Sequence, residues 1–577
     1  MSSLRRYAAA IAHLGPRQTF LNVVCRARRQ TRRFGRYRRA GRGLEWTGRA
    51  ITSFLPHGGG TRLGAGQFTA IGRTLAIGDP PRWDAEASLL WLFNLHYFGW
   101  LDAVPARDQE RLVLDWIERC PATRRSPGWW PYPLSLRLRH WTRAVFCGLL
   151  AAEPARTLLF ASIESQAECL TDTLEYHLRG NHLLESALTL KLLAACFRGP
   201  AVSRWERRAD AVLDAELDEQ FLPDGGHVER SPMYHALLIH ALLDLVNVLP
   251  EIDARRKRIV ERLPALLRFL AAMRHPDGEI ALVNDAAFDI APKPIDLLDY
   301  AARLSVDAPA FGSGSFPDTG YHVWRRGADA LFVDAGPIGP DYLSAHGHGD
   351  VFSWELSLDG RRVVVDGGTS TYEAGEERAW VRSTRAHNTV EIGGADQCEF
   401  FAAFRVGRRA RPRDVVARVD DHGLHLSGWH DGYQRLAGRP VHHRELELVP
   451  PGALAIWDMV GSAVPQASVS RVRFPPGARV RLEGALAAAI EVEGVSLALR
   501  AFGGDLALEE GHYAPRFGER VACPVLALQK GPGPEFGYLL ARAGVPARID
   551  ASGAEVAGRH VLRRSRRPLA AAGGGWA

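Results

Sequence analysis

The chain has 577 residues, too many for one ordinary domain, and its 46% apolar and 24% charged composition is that of a soluble globular protein rather than a fibrous or disordered one. No apolar run reaches the ~18 residues of a membrane-spanning helix. The seven cysteines are scattered, odd in number and without a CxxC pair, which argues against a disulfide framework and against a zinc–thiolate site.

The net charge of +7 is local. Residues 1–44 hold twelve arginines and no aspartate, glutamate or lysine, so the rest of the chain is net acidic. This basic arm reads as an exposed helical or disordered lead-in, of a kind that can meet nucleic acid, anionic lipid or acidic glycan. It has a poor form for a secretory signal, because its apolar stretch at 7–14 is short, is broken by His13 and is followed by more arginine. Residues 45–83 are glycine-rich and irregular and suit a collar on the segment that follows.

From 84 to 305 apolar residues recur at three- and four-residue spacing, notably over 111–117, 134–150, 174–197, 205–222, 233–249 and 259–273. Proline and glycine punctuate the gaps, as in Pro223-Asp-Gly-Gly226 and His275-Pro-Asp-Gly278. The spacing predicts an antiparallel helical array over 84–305, which with the collar makes a helical domain of 45–305. Arg137, Arg139 and Arg143 within it read as a solvated face. Residues 306–318, with Gly312-Ser-Gly-Ser-Phe-Pro317, read as a linker. From 319 to 577 the period becomes two. Phe352, Trp354, Leu356 and Leu358 alternate, Asp359-Gly360 turns, and 361–366 returns, which is a hairpin signature. Many short strands with Gly/Pro turns predict an antiparallel β-sandwich. The fold class expected is therefore α+β multidomain, helical first and antiparallel-stranded second.

Three polar clusters interrupt the strand region: Ala345-His-Gly-His-Gly-Asp350, Val365-Asp-Gly-Gly368 and Ser383-Thr-Arg-Ala-His-Asn-Thr389. Two imidazoles and a carboxylate from such a set can hold zinc, leaving His346 for proton transfer. The helical region adds Arg179-Gly-Asn-His-Leu-Leu-Glu185, in which Asn181 can cap a helix, and Glu229-Arg-Ser-Pro-Met-Tyr234. Among the aromatics, Trp129, Trp130 and Tyr132 lie among prolines and are the better candidates to line a sugar-binding cleft.

Taken together, Asn181-His182 with Glu185, Glu229–Tyr234, His346-Gly-His348, Asp366-Gly-Gly368 and Arg382–Thr389 resemble the heparinase II/III family of polysaccharide lyases, which is similar to the oligoalginate lyases. The resemblance covers roughly residues 84–565. It implies an (α/α) toroid followed by a β-sandwich with a cleft between them, and β-elimination on an acidic, uronic-acid-containing polysaccharide. It further implies that Asn181 and His182 neutralise the substrate carboxylate, and that Tyr234 and His346 move protons. His348, Asp366 and His387 would bind a structural zinc, and Glu185, Glu229 and Tyr372 would lie along the substrate. Tyr234 could act as either acid or base if neighbouring cations lower its phenol pKa.

Two other classes remain open on the sequence. A glycoside hydrolase would use Asp224 with Glu229, or Glu185, as acid and base. A glycan-binding or exopolysaccharide-assembly protein would use the aromatics and the basic arm without cleavage. A periplasmic location and a homodimer are compatible with the sequence, and nucleic acid is not an expected partner.

Overall fold

The computed structural model describes residues 3–31, 34–38, 43–47, 51–56, 61–148 and 152–563. Helices dominate up to Pro294–Arg303 and antiparallel strands dominate after it. At the centre of the helical half, Gly180–Cys196 is apolar on nearly every face and accordingly buried on nearly every face. It packs against Pro131–Phe146, Val202–Gln220 and Pro232–Val248. Trp91, Trp100, Trp116, Trp141 and Trp205 fill the surrounding core.

Pro131–Phe146 departs from the sequence expectation. Arg137, Arg139 and Arg143 are buried rather than solvated. Arg137 lies 3.8 Å from the Trp116 ring centroid and donates to Gln166 Oε1, His96 O and Gly128 O. Arg139 pairs with Glu185 at 3.3 Å, and Arg143 with Asp244 at 3.4 Å. Arg139 and Arg143 are tolerated inside because a carboxylate arrives from a helix distant in sequence, and Arg137 because neutral oxygens and an indole face receive it.

In the second half an eight-stranded antiparallel sheet runs in the order Pro412–Asp420, Gly423–His430, Val441–Val449, Ala453–Gly461, Glu535–Arg542, Val495–Phe502, Ala487–Val492, Arg479–Leu482. A five-stranded sheet and a four-stranded sheet share its apolar core, to which Trp354, Leu356, Val390, Leu446, Ile456 and Leu526 contribute. The predicted hairpin is present. Arg361 pairs with Leu358 across Asp359 (φ 52°) and Gly360 (φ 79°), both left-handed as a tight primed turn requires. The expected linker differs: Gly314–Phe316 is the edge strand of the five-stranded sheet, paired with Tyr321–Val323. Its serine and glycine content hid a strand whose inward residue, Phe316, is fully buried.

The halves are joined by polar and apolar contacts. Asp224 accepts from Thr319 N (2.7 Å) and Thr319 Oγ1 (2.6 Å). Leu282 N donates to Glu355 Oε1 (2.7 Å), and Asp285 N donates to His346 O (3.0 Å). Met233, Tyr234, Leu282 and Phe517 form an apolar cluster across the seam. The expected collar contains a three-stranded meander, Arg62–Gly64, Gln67–Ala70 and Arg73–Ala76. The basic arm begins as two helices, Ser3–Ala12 and Pro16–Thr31. All seven cysteines are free thiols.

Candidate active site at the junction of the two halves

Asn181 and His182 lie in the first turn of Gly180–Cys196, and Tyr234 lies in the first turn of Pro232–Val248. Ser231 caps the latter by accepting from Tyr234 N (3.3 Å), which fixes where the tyrosine leaves the helix. Asn181 does not cap its own helix. Its backbone N–H donates to Glu229 Oε1 (2.7 Å), and its Nδ2 donates to both oxygens of that carboxylate (3.0 and 3.2 Å). This close approach depends on Gly180 (φ 58°), where a Cβ would stand 2.5 Å from Glu229 Oε1 and 2.3 Å from Leu343 Cδ2. Arg179, Arg230 and Asn284, each next to or one residue from a site residue, are also left-handed, at φ 57°, 57° and 55°. Strain of this kind persists where surrounding contacts over-determine the backbone.

From the strand half, His346 meets Tyr234 with ring centroids 4.2 Å apart. Tyr234 Oη lies 3.0 Å from Tyr372 Oη. His346 Nδ1 is 2.9 Å from Asp285 Oδ2, and its Nε2 is 3.3 Å from Glu229 Oε2. Asp285 is the hub of the site. It also receives Arg378 through both terminal guanidinium nitrogens (2.5 and 2.7 Å) and touches His348 Nε2 at 2.9 Å. Burial alone would raise the Asp285 pKa, but the Arg378 charge and the hydrogen bonds from His346, His348 and Arg378 hold it well below the carboxylate range. Glu229 is likewise lowered, against burial, by His346, His227 and Asn181.

Tyr234 behaves oppositely to the sequence expectation. Burial first, then the neighbouring Tyr372 and Asp285, push its phenol well above 10. It is a protonated phenol at neutral pH. His182 Nδ1 is 2.9 Å from Glu175 Oε2, and its ring stacks on Tyr132 at 4.2 Å. Burial lowers the His182 pKa, but the charge and hydrogen bond of Glu175, with the charge of Glu229, outweigh it and raise the value.

Asn181, His182, Tyr132, Tyr234, His346 and Tyr372 thus gather around one seam. Three expected substrate-facing residues do not lie open to it. Glu185 is buried against Arg139, Glu229 is buried under Asn181 and His346, and Trp129 is buried beside Trp116 with its indole N–H donating to Cys120 O (2.9 Å). Each had a polar or proline-flanked context that a buried partner explains equally well. Trp130 is half-buried, tilted against Phe93 at 5.4 Å. Glu175, Asp285 and Arg378 were missed. Asp285 followed an apolar run and had no visible partner within its own segment.

The histidine and carboxylate atoms of His348, Asp350 and His387 come within 4.8 Å of one another in a fully buried group. His348 Nδ1, His387 Nε2 and Asp350 Oδ2 are also buried atoms without a hydrogen-bond partner, a costly arrangement that one cation would relieve. Asp366, implied as a ligand by the resemblance, lies one layer out, 2.9 and 3.0 Å from His387 Nδ1. It is placed to orient that imidazole, and Asp350 is the carboxylate that stands with the two imidazoles. Burial lowers the His348 pKa to about 4, so the ring is neutral, as a ligand must be.

A helical half followed by an antiparallel-stranded half, with one polar site to which both contribute side chains, defines a bipartite protein. Residues 107–291 match the heparinase II/III N-terminus and residues 308–532 match the heparinase II/III-like C-terminal model. The chain belongs to the heparinase II/III family. It is 29% identical over 422 residues to FtsZ-localized protein C of Caulobacter vibrioides, covering 67% of this chain and 68% of that protein. It is 24% identical over 348 residues to the heparin-sulfate lyase of Pedobacter heparinus, covering 54% of this chain and 52% of that one. The chain therefore spans about half the length of that lyase. The crystal structure of Heparinase III shares the fold, with a TM-score of 0.69 at 15% identity, covering 85% of this chain and 86% of that one.

Proposed function

We propose that the protein is a polysaccharide lyase that cleaves a uronic-acid-containing polysaccharide by β-elimination in the seam between the halves, which we read as an (α/α) toroid and a β-sandwich. The observation that carries this reading is the contact of Tyr234 with His346, one from each half, 4.2 Å apart. In this reading His182, kept charged by Glu175 and stacked on Tyr132, neutralises the substrate carboxylate so that negative charge can spread as an enolate. His346, oriented through Nδ1 by Asp285, takes the C5 proton. The C4–O bond breaks, a C4–C5 double bond forms, and Tyr234 gives its phenol proton to the departing oxygen. Asn181 acts by holding Glu229 rather than by facing the substrate. Zinc would be held by His348, Asp350 and His387, and would stiffen the loop that carries His346. Its role here is positional, and no catalytic step passes through it.

The hydrolase reading loses its carboxylates: Asp224 is committed to Thr319 and Glu185 to Arg139. The decisive experiment incubates the purified protein with a panel of uronate polysaccharides and follows ultraviolet absorbance. A rise from an unsaturated uronate is expected with at least one polymer. New reducing ends without that absorbance would establish hydrolysis instead.

The pair with Glu175 gives a pH prediction. The His182 pKa is raised above 6.5, so its charge persists above that pH and is lost as pH climbs through the folded value. Glu175→Gln removes the outweighing charge and lets burial dominate. The alkaline limb of kcat/KM should move to lower pH in this variant. An unmoved limb would detach Glu175 from the chemistry.

A further inference from the structure

The basic arm has two differently occupied faces. Its inner face is clamped to both halves of the protein. Gln18 Nε2 donates to His177 O and to Tyr342 O, each at 3.2 Å. Those carbonyls belong to the segments that lead, from either half, into His182 and His346. The Tyr7 ring sits edge-on to Phe401 at 4.9 Å, and Tyr37 Oη donates to Asp172 Oδ2 at 2.7 Å. Its outer side exposes apolar side chains. Ile11 is 52% exposed, Phe20 66% and Val23 65%. Phe20, Val23 and the exposed Ala27 succeed one another at three- and four-residue spacing, so they form one stripe along Pro16–Thr31. A surface helix of a globular protein turns such a stripe toward the core. Here the core side is served by Gln18, and the stripe faces outward.

The same 44 residues carry twelve arginines and no acidic residue, on a protein whose remainder is net acidic. We infer that the outer face of the arm is a docking surface for an anionic lipid bilayer. The helix Pro16–Thr31 would lie in the interface plane, with Phe20 and Val23 entering the acyl boundary and the net positive charge of the arm drawing it to anionic headgroups. A second copy of the chain fits poorly, because it would set one arginine-rich arm against another. A nucleic acid or an acidic glycan would satisfy the arginines but leave Phe20 and Val23 in water. Because Gln18 ties the arm to segments entering the site from both halves, docking would also fix how the cleft faces the bilayer. This inference does not depend on the proposed lyase activity.

The test is co-sedimentation of the full chain with vesicles of phosphatidylcholine alone or phosphatidylcholine mixed with phosphatidylglycerol. Binding to the mixed vesicles is expected, weakened by added salt and much weaker on phosphatidylcholine alone. Phe20→Ser with Val23→Ser should weaken it by about tenfold or more, since two exposed apolar anchors are lost. Both positions are exposed, so the melting temperature should not change. No sedimentation with the mixed vesicles, equal binding to both compositions, or undiminished binding by the double variant would each overturn the inference. So would a dimer of the native chain that the double variant dissolves, which would assign the stripe to self-association.

Discussion

Tyr234→Phe is expected to lower kcat by about 10²–10⁴-fold, the usual contribution of a positioned acid or base. The substitution removes one oxygen. It keeps the ring that packs with Met233, Leu282 and Phe517 and that faces His346. The lost contact is the 3.0 Å hydrogen bond with Tyr372, worth about 0.5–1.5 kcal/mol, so the variant should fold and melt close to the parent. Rate and stability therefore separate. Initial velocity from ultraviolet absorbance at saturating substrate and a thermal melt measure both. Near-parental turnover with a normal melt would remove Tyr234 from the mechanism. The direction of its pKa bears on the role rather than the size of the effect: a phenol held above its ordinary value by burial stays protonated at neutral pH and so is not a base in the free protein.

The second large effect concerns the buried His/Asp group. Asp350→Ala and His348→Ala should each abolish stoichiometric zinc and lower the melting temperature, because the orphaned buried atoms then lose the cation that satisfies them. Asp366→Asn should retain zinc but bind it about 10–100-fold more weakly, as expected for a group that orients a ligand. Zinc content by elemental analysis, alongside melts with and without chelator, distinguishes the two positions. Total metal loss in the Asp366 variant with full retention in the Asp350 variant would reverse the assignment. Absence of metal in the native protein prepared with zinc, with no response to chelator, would dismiss the centre. Activity should fall with the metal, since His346 and His348 lie on one loop and share Asp285.

The two predictions meet at Asp285, a residue that no local pattern announced. It joins His346, His348 and Arg378, whose positions differ from its own by 61, 63 and 93. Sequence windows see periodicity and turn chemistry, and both are short-range. They located the polar clusters because histidine, aspartate and glycine interrupt apolar alternation. They also located the order of the halves, because a hydrophobic period of three to four gives way to a period of two. They failed where a charged side chain finds its partner on a distant segment. Arg137, Arg139 and Arg143 read as solvent-facing only because Gln166, Glu185 and Asp244 lay on other helices. Glu229 and Glu185 read as substrate-facing for the same reason in reverse.

By itself, then, the sequence determined the class of each half, the Asp359-Gly360 hairpin, the family and the short polar segments that the fold brings together at the junction. These follow from covalent neighbours, backbone preference and side-chain period. Only the tertiary structure decided that Tyr234 faces His346 and that its phenol is pushed up rather than down. It also decided that Asp350 rather than Asp366 stands with the two imidazoles, and that an arginine-rich arm turns its apolar stripe outward. Each of those depends on distance and burial between segments far apart in the chain. Electrostatic and desolvation energies are set by that geometry and not by composition.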